Sequence, residues 1–149
     1  MVKPKKIRNV LYPPKTIYFS PRGVPVKDLT DVIITVDEYE AIRLADHKKL
    51  KQEEAAKKMN ISRPTFTRII ESARRKVAEA LVNVKAIMVE GGSFVFLKNR
   101  IRCISCSNIW EIQKMPRINL FCPNCGSKNL EDIGNKFYSR CPRRRRGSS

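Results

Sequence analysis

From Ser62 onward the apolar residues Phe66, Ile69, Ile70, Ala73, Val77 and Leu81 recur at helical spacing, and Pro64, Arg68, Glu71 and Arg75 fall on the opposite side. The pattern predicts a helix reaching Leu81 or Val82 with one face in a core and the other offered to solvent or a ligand. Upstream, Tyr39, Ile42 and Ala45 give "TVDEYEAIRLAD" an apolar face. Thr35 stands three residues before Glu38, the capping-box spacing, so a helix over residues 36–46 is expected. "QEEAAKKM" predicts a short helix over 52–59. In "KAIMVEGGSFVFLK" the period changes to that of strands, and Gly91-Gly92 can supply the positive φ angles of a two-residue turn, so a β-hairpin is expected.

The junction between the two central helices meets the demands of a helix-turn-helix position by position. Ala56 is small enough for a close crossing, Asn60 tolerates a left-handed turn, and Ile61 can plug the core beneath it. Ser62 can cap the next helix, and Pro64 is tolerated in a first turn whose amides lack intrahelical acceptors. In such a unit the start of the second helix enters the major groove, which leaves Arg63, Thr65, Thr67 and Arg68 nearest the base edges. Lys57, Lys58, Arg74, Arg75 and Lys76 suit phosphates. The plainer alternative is a helical hairpin with a solvated face.

Charge shifts the balance toward a ligand. Lys and Arg number 31 against 14 Asp and Glu, a formal net charge of +17, the balance of a polyanion binder. Residues 1–27 are rich in Pro and Lys and read as an extended basic arm. Its Tyr12, Ile17, Tyr18 and Phe19 could stack on bases or pin the arm to a core. "RCPRRRRGSS" lacks apolar residues and reads as a disordered polycation, with Arg143, Arg144, Arg145 and Arg146 able to lie along phosphates. The N-terminal "MVKPKKIRNVLYPP" lacks the apolar run of a signal peptide, and no stretch is long enough to span a bilayer. A cytoplasmic protein with no membrane partner is therefore expected.

In a reducing compartment cysteines favour metals over disulfides. Cys103 and Cys106 are followed, after fifteen residues, by Cys122 and Cys125. Each Cys-x-x-Cys can aim two thiolates at one ion, and the spacer permits a strand out and back, so a tetrahedral Zn2+ site is expected. The region resembles a zinc ribbon with strands over 95–102, 108–113 and 129–133. Gly126 suits the turn after the second knuckle better than Ser107 suits the first. A rubredoxin-like iron centre uses similar knuckles and is the competing reading. Cys141 has no partner knuckle and is left out of the site.

The runs "TVDEYEAIRLAD", "QEEAAKKMNISRPTF" and "RIIESARRKVAEALV" resemble the uncharacterised prokaryotic family labelled domain of unknown function 134, and the resemblance extends over residues 3–92. Its helix-turn-helix is similar to region four of bacterial sigma factors. The resemblance implies that fold and nucleic-acid binding, with no target attached. Lys51 stands where the family usually places a serine or threonine cap. Some relatives end in a domain resembling nitrogenase-cofactor-binding proteins, unlike this C-terminus.

The expected architecture is mainly α, a helix-turn-helix domain followed by a β-hairpin and a small β zinc ribbon. Its divisions are a basic arm (1–27), the nucleic-acid-binding domain (28–92), the ribbon (93–135) and a basic disordered tail (136–149). His47 is the one histidine, and no nucleophile, phosphate loop or carboxylate group suggests catalysis. The expected function is a DNA-binding transcription regulator. An RNA-binding or ribosome-associated protein is the alternative, and an adaptor to the transcription machinery a third reading. Paired half-sites would allow a homodimer, although no heptad seam marks an interface.

Overall fold

The computed structural model describes residues 6–113 and 119–139. They fall into two units: Thr16–Val95 with the described residues up to Val10, and Leu11–Lys15 with the described residues from Phe96 on. Among the described residues no helix is long and apolar enough to cross a membrane.

The first unit begins with β1 (Arg8–Val10) and β2 (Tyr18–Phe19), then a 3-10 turn at Val26–Asp28 and β3 (Asp31–Ile34). Thr35 ends β3 and starts α1 (Val36–Ile42) through a reciprocal cap. The Glu38 amide donates to Thr35 Oγ1 (3.3 Å) and the Thr35 amide to Glu38 Oε1 (3.1 Å). α1 widens into a π turn, Arg43–His47, within the span expected to be one helix. α2 (Gln52–Met59) and α3 (Arg63–Val82) follow, joined by a three-residue turn. Ala41, Leu44, Ala55, Ala56, Met59, Phe66, Ile69 and Ile70 form the buried cluster between these helices, with Ile61 packed against it.

The expectation of a mainly α chain is corrected: the described residues hold eight strands in three sheets, an α and β mixture. β4 (Ala86–Val89) pairs in parallel with β3, Val32 opposite Ile87 and Ile34 opposite Val89, and antiparallel with β2. Parallel neighbours need a long crossover, and here α1, α2 and α3 supply it. The expected hairpin is also corrected, because the strand after Gly91-Gly92, β5 (Phe94–Phe96), pairs with β1 instead. Gly92 serves a close approach. Val36 donates its amide to the Gly91 carbonyl (3.0 Å), and a Cβ on Gly92, at φ +99°, would collide with the Asp37 carboxylate. The apolar stripe of α3 ends differently too. Leu81 is 75 % exposed and Ala80 is buried, since fifteen residues at about 100° each carry Leu81 roughly 60° off the axis set by Phe66.

The second unit is built on β6 (Asn99–Cys103), flanked antiparallel by β7 (Ile109–Ile112) and β8 (Leu130–Asp132). Ile101 faces Trp110 on one side and Asp132 on the other. The strand expected over 95–102 is interrupted between Phe96 and Asn99. After β8 comes α4 (Ile133–Ser139), which takes in residue 133 of the expected last strand and residues 136–139 of the expected tail. It forms because Phe137 is buried against Phe96, ring centroids 5.7 Å apart and nearly perpendicular, while the Phe96 amide donates to the Tyr138 hydroxyl (2.8 Å). Part of the N-terminal arm belongs here. Arg100 donates to the Pro13 carbonyl (2.6 Å), Arg102 to that of Lys15 (2.9 Å), and the Arg100 guanidinium lies 4.9 Å from the centre of the Tyr12 ring.

Candidate metal centre and nucleic-acid interface

Both Cys-x-x-Cys stretches fold into the same hydrogen-bonded knuckle. In the first, Ser107 donates its amide to the Cys103 carbonyl (2.9 Å); in the second, Gly126 donates to the Cys122 carbonyl (2.9 Å). Both residues adopt the left-handed conformation, Ser107 at φ 64° and Gly126 at φ 75°, so the less suited serine takes the glycine geometry. A Ser105–Ser127 hydroxyl contact of 2.9 Å ties one knuckle to the other.

The knuckles bring the sulfurs of Cys103, Cys106, Cys122 and Cys125 within 4.8 Å of one another. Cys103 and Cys125 are 3.6 Å apart, Cys106 and Cys122 3.5 Å. A tetrahedron with metal–sulfur bonds of about 2.3 Å has sulfur–sulfur edges of roughly 3.8 Å, so the set fits a tetrathiolate ion site. The surrounding donors fit it as well: Asn124 gives its side-chain amide to Cys106 Sγ (3.6 Å) and its backbone amide to Cys122 Sγ (3.4 Å). That side-chain bond holds Cys106 below the ordinary thiol range. Burial opposes ionisation at Cys103 and Cys122, but the amides of Cys106 and Ser105 at the one and of Cys125 and Asn124 at the other outweigh it. At Cys125 the Ser127 amide also favours the thiolate. The Cys103 sulfur, burial and the sulfurs of Cys106 and Cys122 overcome that amide and push the thiol up to about 12. To ionise all four at this spacing would take a cation among them, which is what a divalent metal would supply. Cys141 lies outside the described residues.

In the first unit the junction between α2 and α3 has left-handed geometry at Asn60 (φ 57°, ψ 46°), and Ile61 donates its amide to the Ala56 carbonyl (3.0 Å). Ser62 caps α3 by accepting from the Thr65 amide (3.3 Å), with Pro64 in the first turn. Lys51, at the start of α2, makes no side-chain cap.

The twelve side chains assigned to nucleic acid by sequence divide sharply. Arg63 pairs with Glu53 (3.3 Å), and the Thr65 hydroxyl contacts that of Ser62 (2.9 Å). Thr67 donates its hydroxyl to Gln52 Oε1 (2.5 Å), which clamps the start of α3 to the start of α2. Arg74 forms a two-pronged pair with Asp46 (3.1 and 2.6 Å). Lys76, also suited to phosphate by sequence, donates to buried Glu38 (2.7 Å), which accepts from Ser72 as well (2.9 Å). Arg68, Arg75, Lys57 and Lys58 are exposed and make no hydrogen bond or ion pair among the described residues. Arg68 and Arg75, seven residues apart, share with Pro64 the side of α3 that faces away from the core. Arg143, Arg144, Arg145 and Arg146 lie outside the described residues. The sequence reading missed Gln52, Glu53 and Asn124. The first two had a faint signal in being polar at the first turn of α2, and Asn124 in lying inside a cysteine knuckle.

Known proteins resemble this chain along most of its length. It is 49 % identical to a UPF0251 protein of Chloroherpeton thalassium over 134 residues, 89 % of this chain and 87 % of that one. It is 44 % identical to a UPF0251 protein of Desulforudis audaxviator over 148 residues, 99 % and 94 % of the two chains. With a UPF0251 protein of Moorella thermoacetica the identity is 46 % over 134 residues, 90 % and 89 %. No solved structure matches. The family model described as "Protein of unknown function DUF134" matches residues 1–97, and with these relatives it shows that the chain belongs to that family.

Proposed function

We propose that the protein is a DNA-binding transcription regulator whose helix-turn-helix, α2 and α3, sets α3 in a major groove. One observation carries the reading: Arg68 and Arg75 stand exposed on the side of α3 that the core leaves bare, while their neighbours Thr67 and Arg74 are bonded within the protein. Arg68, near the start of α3, is the candidate to read guanine through two hydrogen bonds; Lys57, Lys58 and Arg75 supply phosphate contacts. Thr67 and Arg63 hold the reading helix on α2, so their contribution to recognition is mainly one of position. The C-terminal unit is a zinc ribbon whose Zn2+, held by Cys103, Cys106, Cys122 and Cys125, has a structural role and no catalytic one. Many regulators of this kind bind paired half-sites, which would allow a homodimer in the cytoplasm.

Crosslinking the protein in cells and sequencing the attached DNA and RNA together tests the reading. Clustered genomic sites that disappear with Arg68→Ala are expected; predominantly ribosomal RNA would transfer the protein to the RNA-binding class. Elemental analysis of freshly purified protein is expected to give one zinc per chain, and iron in its place would reverse the assignment of the metal.

A further inference from the structure

The cysteine knuckles that hold the candidate metal present an aromatic ring to solvent. Phe121, next to Cys122, is 50 % exposed, and Ile104, inside the first knuckle, is 56 % exposed. A zinc ribbon has few apolar side chains for its own core, and placing two at the surface runs against that need. Lys128 Nζ lies 5.3 Å from the centre of the Phe121 ring, a cation–π distance, so one face of the ring carries a positive charge. Ile104 donates its amide to the carbonyl of Asn129, the residue after Lys128, so the three side chains belong to adjoining segments. Asn119 and Asn129 are exposed on either side in sequence, and neither 104–108 nor 119–130 contains an acidic residue.

We infer that this end of the second unit binds single-stranded nucleic acid, with an unpaired base stacked on Phe121 beside Ile104 and the adjoining phosphate at Lys128. Among the described residues of the knuckles a protein partner would find two exposed large apolar side chains, Ile104 and Phe121, whereas a base needs one ring face, an amide or two for its edge and a cation for its phosphate. Four thiolates around a divalent ion leave the knuckles net negative, so bulk attraction does not hold a strand at this spot. Stacking does. The chain's formal charge of +17 supplies the long-range attraction that brings a polyanion near. The site deepens the proposed nucleic-acid function but is independent of α3: it takes an unpaired base of a single strand, whereas α3 requires the groove of a duplex.

The test uses the full-length, metal-loaded protein with fluorescent oligo-dT, oligo-rU and a mixed-sequence duplex. Phe121→Ala is expected to weaken single-strand binding by about five- to 150-fold, the range for loss of one stacked base, and to alter duplex binding less than twofold. Phe121→Trp in a Trp110→Phe background is expected to retain affinity, and its fluorescence to be quenched on binding. The double change Arg68→Ala with Arg75→Ala reports on α3 separately and is expected to abolish duplex binding with single-strand binding unchanged. Unchanged single-strand binding by Phe121→Ala, with Lys128→Ala alone weakening it, would reduce the site to charge and overturn the inference. Absence of single-strand binding by the unaltered protein would also overturn it, whatever the duplex result. The oligo-dT and oligo-rU arms identify the preferred strand chemistry.

Discussion

The two units are held together by different means. In the α2–α3 unit each turn of helix places side chains against others: Phe66, Met59 and Ile70 are fully buried, and small Ala55 and Ala56 let the helices close on them. The four-cysteine unit buries Ile101, Ile133 and Phe137, and at its knuckle end four sulfurs come together instead. A core built from volume is stable without help and can tolerate a bare, charged outer face on α3. Four sulfurs this close can all ionise only with a cation among them, so the knuckle end is the part of the molecule that a bound metal would stabilise.

The sharpest way to break this comparison is to remove the metal proposed for the four cysteines. Structural zinc contributes on the order of 10 kcal/mol of apparent binding free energy in small metal-dependent units. Chelation or Cys122→Ser is therefore expected to unfold the knuckle end while α2 and α3 keep their helical signal. Two-dimensional NMR checks this residue by residue. Simultaneous loss of the Phe66 and Ile70 signals would show that the first unit depends on the metal too.

The first unit has its own electrostatic dependence at Glu38. Burial works against its charge, but Lys76, the Thr35 amide and the hydroxyls of Ser72 and Thr35 outweigh it, and the carboxyl is held below the ordinary range. A depressed folded-state pKa contributes stability above the unfolded-state value and loses it as pH falls through the folded one. Glu38→Gln is expected to cost about 2–3 kcal/mol near neutral pH, the worth of hydrogen bonds to a charged group, and nothing once both states are protonated. Denaturant melts at pH 7 and in acid check it: the gap between variant and parent should close on acidification. A gap independent of pH would assign the loss to packing.

What could be read from sequence was what the chain decides locally. Thr35 with Glu38, Asn60, Ser62 and Pro64 act within four residues of themselves, and the cysteine spacings state their own geometry. The missed features depend on partners far along the chain. Val32-Ile33-Ile34 is a β-branched run whose strand partner, Ala86–Val89, lies across three helices. Gly91 and Gly92 do adopt positive φ, 77° and 99°, but no hairpin forms, and at Gly92 it is the start of α1 that leaves no room for a side chain. Arg74 and Lys76 look free in sequence because Asp46 and Glu38, which engage them, lie 28 and 38 residues away. The candidate interface was therefore legible as a helix face and illegible as a choice among its cations.

The smallest expected effect concerns left-handed residues, which in each unit include one that suits the conformation and one that does not, Asn60 and Val84 in the first, Gly126 and Ser107 in the second. Gly126 and Asn60 suit that conformation, but α3 ends on Val84 at φ 53°. Lys85 donates its amide back to the Ala80 carbonyl (2.9 Å), a helix stop that usually takes glycine at the position of Val84. The β-branched side chain is 54 % exposed, so it gains little burial in return. A left-handed non-glycine residue costs roughly 1–2 kcal/mol, part of which glycine returns through the greater freedom of its unfolded chain. Val84→Gly is accordingly expected to raise stability by about 1 kcal/mol, seen as a higher melting temperature of the first unit with zinc content unchanged. A lower melting temperature would mean that Val84 makes contacts worth more than its strain, and the end of α3 would then be held by packing like the rest of its unit.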